Sequence, residues 1–587
     1  MTLPQDKTKP RRDFLGRILL TLELVKFPMQ LSQASNLKES QLSAAVNGLG
    51  SRLQPITPLK LSSGLSSRLK DPVFRGSEPS IVQMGGWLDA WTPKLGRWFV
   101  KAKSPQDIVH GIRFAIASKL PIAIRGGAHS YFGQSCKAES VVLWTAGMRD
   151  IKMQVNFRPA GAPDSDQPQH VVHVGSGCTW GEVYAEVIAK RGRYVQGGGC
   201  TTVGVGGMLQ GGGFGSFSKG FGTVASNLLE AEIVTADGQI RIVNPYRDPE
   251  LFWAIKGGGG GTFGVLTRVT LRTHDLPERF GVVRFKFQAK SDQKMEEAST
   301  YVLQLIREQL LTPYWGEKIV FMPDRIISVE TMFQGISETQ ARDIWQPLVN
   351  TIEQYSDQYE ILTPLFTSSV PSKDLWNSQV INQQFPGALS IGETRDGLNK
   401  SVFWTGDGEQ AGLVWTAYES LWLDMRLLKQ EKILELASTF AAASNFHSFE
   451  LHLNKGLAGL GESMLALCND TPVNPQSLTA FALMIVADGQ VPLPGNEVTA
   501  KLTEKQIIDG HSDRDKVARV AQKFRQLAPD AGSYLNESNY FHPDIATAAW
   551  GENFPRLQAV KNQYDPTDLF HVHHGVRPTD GYSISIK

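Results

Sequence analysis

Several features are scarce in this sequence of 587 residues, and each scarcity excludes a class of protein. Only four cysteines occur, none in a CxxC pair, which excludes a disulfide-dense scaffold and the usual structural zinc sites. Lys and Arg number 59 against 58 Asp and Glu, so no bulk positive field would attract nucleic acid. No apolar run approaches the ~20 residues that a membrane-spanning helix needs. We therefore expect no metal site, no nucleic-acid partner and no integral membrane segment.

Three common catalytic motifs are missing as well. No Gly-Lys-Ser/Thr occurs, so the chain lacks a Walker A phosphate loop. Neither His-Glu-x-x-His nor Gly-x-Ser-x-Gly is present, which disfavours zinc proteases and α/β-hydrolases.

The N-terminal segment, residues 1–40, has two possible interpretations. An Arg-Arg-x-Phe-Leu motif at 11–15 precedes an apolar run over 18–27, and this resembles a twin-arginine export signal. Such a signal would make the protein periplasmic or secreted. Glu23 and Lys26 interrupt the apolar run, so an amphipathic helix on a cytoplasmic protein stays open as the alternative.

Hydrophobic periodicity predicts mixed helices and strands from residue 95 onward. Ser104-Pro105 is a good helix start, since Ser favours the N-cap and Pro the first turn. Residues 35–80 show no clear period and indicate a loose lead-in. The predicted strands lie at 121–125, 171–174, 230–235, 265–271, 282–287, 449–453 and 481–486, and helical stretches at 108–118, 180–191 and 417–436.

Glycine is concentrated in three clusters within about 140 residues: 126–127, 197–222 and 257–261. Glycine allows close backbone approach, and successive amides can then form a concave nest for an anion such as pyrophosphate. A single cluster would favour tight turns between packed strands. Three clusters in one region favour a large phosphate-bearing ligand.

Four motifs in this region and three near the C-terminus follow one another along the chain. They lie within two stretches, residues 95–277 and 530–577. The motifs are Arg125-Gly-Gly-Ala-His129-Ser-Tyr131, Gly198-Gly-Cys200-Thr-Thr-Val203-Gly-Val-Gly-Gly207, Gly211-Gly-Gly-Phe-Gly215, Phe252-Trp-Ala-Ile-Lys-Gly257-Gly-Gly-Gly-Gly-Thr-Phe-Gly264, Ser533-Tyr-Leu-Asn536-Glu, Trp550-Gly-Glu-Asn553-Phe-Pro-Arg556-Leu and Tyr564-Asp-Pro566-Thr-Asp-Leu-Phe570.

In this order the motifs resemble the berberine-bridge-enzyme-like branch of the vanillyl-alcohol-oxidase (VAO) flavoproteins. The resemblance implies an α+β fold, with a two-part FAD-binding domain of the PCMH/VAO type. An inserted α+β substrate domain would be built on an antiparallel sheet. The implied division gives residues 60–277 to the FAD-binding domain and 278–525 to the substrate domain, with 526–587 completing the FAD domain.

The resemblance also implies that FAD is held by two covalent bonds, from His129 to the flavin 8α-methyl and from Cys200 to C6. An imidazole nitrogen and a thiolate are the nucleophiles that such bonds need. Taken alone, Cys200 would be interpreted as a small buried hydrophobic residue, and His129 as a core histidine satisfied by hydrogen bonds. The implied cofactor-binding residues are Arg125, Gly126, Gly127, Ala128, His129, Ser130, Tyr131, Cys200, Thr202, Val203, Gly204, Gly206, Gly207, Gly212, Gly213, Gly215, Gly264, Val265 and Asn536.

The reaction implied is oxidation of an alcohol or amine carbon of a sugar or secondary metabolite, with O₂ reduced to H₂O₂. A dehydrogenase with another electron acceptor and a non-catalytic flavin-binding protein are the alternatives. In relatives the side chain at Val203 lies beside the reactive flavin edge, and Val there is associated with reaction with oxygen. The sequence names neither the substrate nor an oligomeric state.

Two residues are candidates for the catalytic base. His452 shares one face of its predicted strand with Glu450 and Asn454, because strand side chains alternate with a period of two. That polar face either lines a site or faces solvent. Tyr534 lies in the C-terminal motif that borders the flavin in relatives.

Overall fold

The computed structural model describes residues 39–60, 64–394, 400–494 and 496–579. The predicted export signal therefore lies almost entirely outside the described residues. Within them, no helix combines the length and apolarity needed to span a bilayer. The strands are β1 (Leu53–Pro55), β2 (Gly86–Trp87), β3 (Trp98–Lys101), β4 (Ile122–Arg125), β5 (Val141–Trp144), β6 (Ile151–Phe157), β7 (Gln169–Gly175), β8 (Arg193–Tyr194), β9 (Leu228–Val234), β10 (Ile240–Val243), β11 (Val265–Arg272), β12 (His274–Asp275), β13 (Arg279–Ala289), β14 (Trp315–Met322), β15 (Ile326–Gln334), β16 (Tyr359–Pro371), β17 (Leu389–Thr394), β18 (Lys400–Trp404), β19 (Val414–Asp424), β20 (Phe449–His452) and β21 (Ala480–Gln490).

Two sheets and a helix between them form the N-terminal half. One sheet has the order β1-β3-β5-β4 and the other β10-β9-β11-β7-β6. The helix Pro105–Ser118 begins at Ser104, whose hydroxyl accepts from the Asp107 backbone N–H in a capping box, so the predicted start is confirmed. Its apolar face, with Ile108 and Ile112, packs in a common core with residues of both sheets. The helices of this half are Glu39–Leu49, Leu65–Arg68, Pro72–Ser77, Pro105–Ser118, Trp180–Tyr184, Val205–Gln210, Ser218–Phe221 and Pro249–Ala254, and Trp180–Tyr184 continues as a π-helix over Ala185–Lys190.

An eight-stranded sheet dominates the second half, with the order β16-β13-β15-β14-β20-β21-β19-β2. All pairs are antiparallel except β2 with β19, so the predicted antiparallel sheet is confirmed. One face buries Phe321, Phe449 and Met484 against helices. The helices of this half are Asp292–Leu305, Glu338–Gln354, Ser378–Gln384, Thr405–Glu409, Ile433–Ser444, Glu462–Asn469, Gln476–Thr479, Glu504–Leu527, Ile545–Trp550 and Phe554–Tyr564, and Asp292–Leu305 continues as a π-helix over Ile306–Leu310.

Two sequence expectations about this architecture are wrong. Residues 417–436 are not one helical stretch, because Val414–Asp424 is strand β19. That strand is buried on both faces, with Leu421 and Leu423 in the helix-covered core and Trp422 in a second cluster, so its apolar run carries no usable period. The expected loose lead-in contains the helix Glu39–Leu49, which buries Leu49 in the core of the N-terminal half.

The C-terminal segment returns to the N-terminal half. The Trp550 indole N–H donates to the Gly257 carbonyl at 3.0 Å, and the buried Lys561 ammonium donates to the Thr262 carbonyl at 2.8 Å. These contacts hold the segment against the third glycine cluster, although the paired residues are 293 and 299 positions apart in sequence.

Candidate functional site

A cavity of about 670 Å³ separates the glycine-rich loops from the face of the eight-stranded sheet opposite its helices. Cavities of this size hold small-molecule ligands and cofactors in proteins. Fourteen residues expected from sequence to bind cofactor or act in catalysis line it together. They are Gly126, Gly127, Ala128, His129, Ser130, Tyr131, Cys200, Val203, Gly204, Gly206, Gly207, His452, Tyr534 and Asn536.

Two glycines hold the loop of His129 against the loop of Cys200. A Cβ atom at Gly127 would lie 2.6 Å from the Gly204 backbone nitrogen, and one at Gly204 would lie 2.5 Å from that of Gly127. Real Cβ atoms do not approach so closely, so only glycine permits this backbone contact. The two loops therefore act as one unit, which fixes His129 relative to Cys200.

Thr202 joins the two nucleophilic side chains. Its hydroxyl oxygen lies 3.0 Å from His129 Nε2 and 3.5 Å from Cys200 Sγ. Burial lowers the pKa of His129 to about 4, against a smaller opposing effect of Thr202, so the imidazole is neutral near pH 7. Burial raises the pKa of the Cys200 thiol, and the nearby Asp407 carboxylate raises it further.

Seven residues expected to bind cofactor lie outside the cavity lining. Arg125 supports the wall from behind, since its guanidinium donates to the carbonyls of Arg75, Glu78 and Pro79. Val265 lies in the core. The other five are Thr202, Gly212, Gly213, Gly215 and Gly264, and they pack against neighbouring protein atoms.

The sheet side of the cavity carries a chain of three charged or titratable groups. Glu450 accepts from Lys318 Nζ and lies 2.7 Å from His452 Nε2. Burial alone would raise the pKa of Glu450, but His452 and Lys318 lower it to about 2, so Glu450 is a carboxylate and only accepts. His452 must then donate from Nε2, which leaves Nδ1 as an acceptor.

Two unpartnered polar atoms belong to this side of the cavity. His452 Nδ1 and the Asn454 side-chain oxygen are buried and have no hydrogen-bond partner among the described residues, and both residues line the cavity. A buried polar atom without a partner is costly unless a ligand supplies one. Two of the three residues on this polar face, His452 and Asn454, therefore line the cavity, where the sequence alone allowed either a site or a solvent-facing strand.

Tyr534 occupies the C-terminal border of the cavity. Its phenol oxygen accepts from the Asn536 amide at 3.1 Å, and its ring packs edge-on against Phe214. Burial and then the Glu537 charge raise the pKa of Tyr534, which keeps the phenol protonated near neutral pH. Glu537 itself pairs with Lys455, and both line the cavity.

Sequence reasoning missed Lys318 and Asp407. Lys318 lies directly opposite His452 in the β14–β20 register, and only that pairing brings the two together. Asp407 reaches Cys200 from a segment about two hundred residues away, so no local pattern identified it. The sequence places Glu450 on the same strand face as His452 but does not predict the hydrogen bond between them.

The side chains and the shape of the cavity wall both fit a bound FAD. His129 and Cys200 both line it and supply the two nucleophiles that a doubly linked flavin requires. Gly207 lines it too, and a Cβ there would meet no protein atom within 4 Å. The wall thus leaves a cradle into which a side chain would project.

Comparison with known proteins gives a consistent result. A family model described as FAD binding domain matches residues 97–244, and one described as berberine and berberine like matches 533–577. The chain is 41% identical over 489 residues to the FAD-linked oxidoreductase easE of Arthroderma benhamiae, covering 81% of this chain and 88% of that protein. It is 26% identical over 488 residues to the FAD-linked oxidoreductase ZEB1 of Gibberella zeae, covering 81% and 75%.

Solved structures agree on the fold. The VAO-type flavoprotein MtVAO713 from Myceliophthora thermophila C1 superposes with a TM-score of 0.72 at 18% identity, covering 93% of this chain and 96% of that one. A carbohydrate oxidase from Microdochium nivale gives a TM-score of 0.63 at 18% identity, covering 92% and 99%.

Proposed function

The chain belongs to the berberine-bridge-enzyme-like FAD-linked oxidoreductases of the VAO superfamily, and from that premise we propose that it is an oxidase of an alcohol or amine carbon in a sugar or secondary metabolite. The proposal rests on one cavity that His129, Cys200 and His452 line together. Nδ1 of His452 is buried and has no hydrogen-bond partner within the described part of the chain. When bound, the flavin would accept a hydride at N5 and pass the electrons to O₂, giving H₂O₂.

His129 and Cys200 are the proposed covalent anchors. The low pKa of His129 leaves a ring nitrogen with a free lone pair, and Thr202 orients that ring. The double linkage has a direct test. Acid-precipitated protein should stay yellow, and His129→Ala should keep flavin through Cys200. Complete release of FAD from the wild type would contradict the linkage.

His452 is the proposed base. Glu450 accepts the Nε2 hydrogen and so fixes the tautomer, which leaves Nδ1 of this cavity-lining residue as the acceptor for the substrate hydroxyl or amine proton. Burial and then the charge of Lys455 lower the pKa of His452, so the neutral, accepting form predominates at neutral pH. Lys318 holds the far side of Glu450, which keeps the carboxylate in place.

Tyr534 is the second candidate base. It lines the same cavity, but its protonated phenol can donate a hydrogen bond rather than accept a proton near neutral pH. We assign it to orientation of the substrate together with Asn536.

A substrate screen tests the oxidase proposal. Sugars and phenolic alcohols are mixed with the holoenzyme without oxygen, and bleaching of the flavin absorbance is recorded; peroxide is then measured in air. Bleaching followed by stoichiometric peroxide is expected. Bleaching without rapid reoxidation by O₂ would favour the dehydrogenase alternative.

The export signal at residues 1–40 is a separate proposal, and the mature N-terminus of the native protein tests it.

A further inference from the structure

The proposed function leaves Asp407, a carboxylate that lines the cavity, without a role. The segment that carries it is docked on both neighbours of Cys200. The Thr201 hydroxyl donates to the Val402 carbonyl at 2.8 Å, and the Trp404 indole donates to the Gly199 carbonyl at 3.1 Å. These two bonds place the helix Thr405–Glu409 beside the thiol.

Asp407 and Cys200 line the cavity together, and they lie close enough for each to shift the pKa of the other. One carboxylate oxygen, Oδ2, is buried and has no hydrogen-bond partner among the described residues. Burial raises the pKa of Asp407 to about 6, against opposing interactions with Cys200 and the Thr201 backbone. The group is therefore ionised at neutral pH and is more basic than an exposed aspartate.

The Cys200 thiol needs a nearby base to accept its proton. The thiolate is the nucleophilic form of cysteine, but burial and the neighbouring charge raise the pKa of this thiol. Among the described residues, no Lys or Arg forms a hydrogen bond with Cys200. Little thiolate would form at neutral pH unless a base took the proton as the sulfur reacted.

We propose that Asp407 is the general base that removes the Cys200 thiol proton as the sulfur forms its bond to the flavin ring. The proposal rests on the Cys200 linkage of the proposed function. The S–H proton goes to Asp407, the S–C bond forms, and the ring C–H proton leaves to water. Dioxygen, the oxidant of the proposed reaction, takes the two electrons, so that thiol, ring C–H and O₂ give the thioether and H₂O₂.

The test uses His129→Ala protein, in which any flavin that survives denaturation is bound through Cys200. Asp407→Asn is added to this background, and acid-stable flavin and the mass of the Cys200 peptide are followed over time after FAD is supplied. We expect the thioether to form at least about tenfold more slowly. Glu409→Gln, an exposed carboxylate on the same helix, is the matched control and should leave the rate unchanged.

Asp407→Asn alone, with His129 intact, reports on the fold. We expect its flavin content through His129 and its melting temperature to match the wild type. An unchanged rate of thioether formation in the double variant would overturn the proposal, and so would loss of flavin at His129, which would give Asp407 a structural role. Failure of the proposed function looks different, because His129→Ala itself would then carry no acid-stable flavin.

Discussion

The two walls of the cavity hold their functional groups by different means. The glycine wall, residues 126–129 and 198–207, places His129 and Cys200 by contacts between backbone atoms. The sheet wall, formed by the cavity-facing residues of β13, β14, β15 and β20, places His452 by side-chain hydrogen bonds. His452 bonds Glu450 on its own strand, and Lys318 holds Glu450 from the neighbouring strand. Backbone contacts leave no room for another residue type, whereas cross-strand pairs can be exchanged for others that fit.

This difference suits the proposed division of labour. An anchor for an unvarying cofactor benefits from a wall that admits one geometry. A wall that meets the substrate can change its side chains without disturbing the sheet that carries them. We therefore expect substitutions at the touching glycines, Gly127 and Gly204, to abolish cofactor binding, and substitutions in the sheet wall to change rates and pH dependence.

The largest effect should follow Gly204→Val. The new Cβ would lie 2.5 Å from the Gly127 nitrogen, so the loops of His129 and Cys200 would have to separate. We expect the purified protein to contain almost no flavin, measured as the ratio of absorbance at 450 and 280 nm. Gly461→Ala is the control, because a Cβ there meets no atom within 4 Å and flavin content should be normal. Normal flavin content in Gly204→Val would contradict the backbone account of this wall.

A smaller effect is expected from Val203→Leu, also in the glycine wall. Val203 lines the cavity, and one extra methylene would fill space the size of a small diatomic molecule. Reoxidation of the reduced enzyme by O₂ should slow about tenfold or more, while anaerobic reduction by substrate stays nearly unchanged. Stopped-flow absorbance measures both steps. Equal slowing of both steps would mean that Val203 acts on the cavity as a whole.

The smallest effect should come from Glu450→Gln in the sheet wall. Glu450 raises the pKa of His452, so its loss should move the acid limb of the kcat/KM profile to lower pH. The maximum rate should fall about tenfold, which is less than the loss of a whole general base costs, because a less basic imidazole accepts a proton less readily. Flavin content should not change. A profile that stays in place would separate Glu450 from the base.

The residues of the glycine wall could be predicted from the sequence because the close backbone contact that makes this wall rigid also requires glycine. Only glycine fits where two backbones touch, so the constraint is visible in the residue type at Gly127 and Gly204. The sheet wall leaves no such trace, because only the register of two strands brings Lys318 to Glu450, the partner of His452. The helical prediction for strand β19 is wrong because the strand is buried on both faces and its apolar residues show no alternation. The sequence does not predict the helix Glu39–Leu49, because its apolar residues show no clear helical period.

On the proposed mechanism, the two walls form one redox site in which His452 takes the substrate proton. Anaerobic stopped-flow reduction of the flavin by a substrate from the screen tests this role of His452, with wild type, His452→Ala and Tyr534→Phe compared at equal flavin content. We expect His452→Ala to slow reduction about 100-fold or more, within the range of a lost general base, and Tyr534→Phe to have a smaller effect. Reduction at the wild-type rate in His452→Ala, with a large loss in Tyr534→Phe, would contradict the account and make Tyr534 the base.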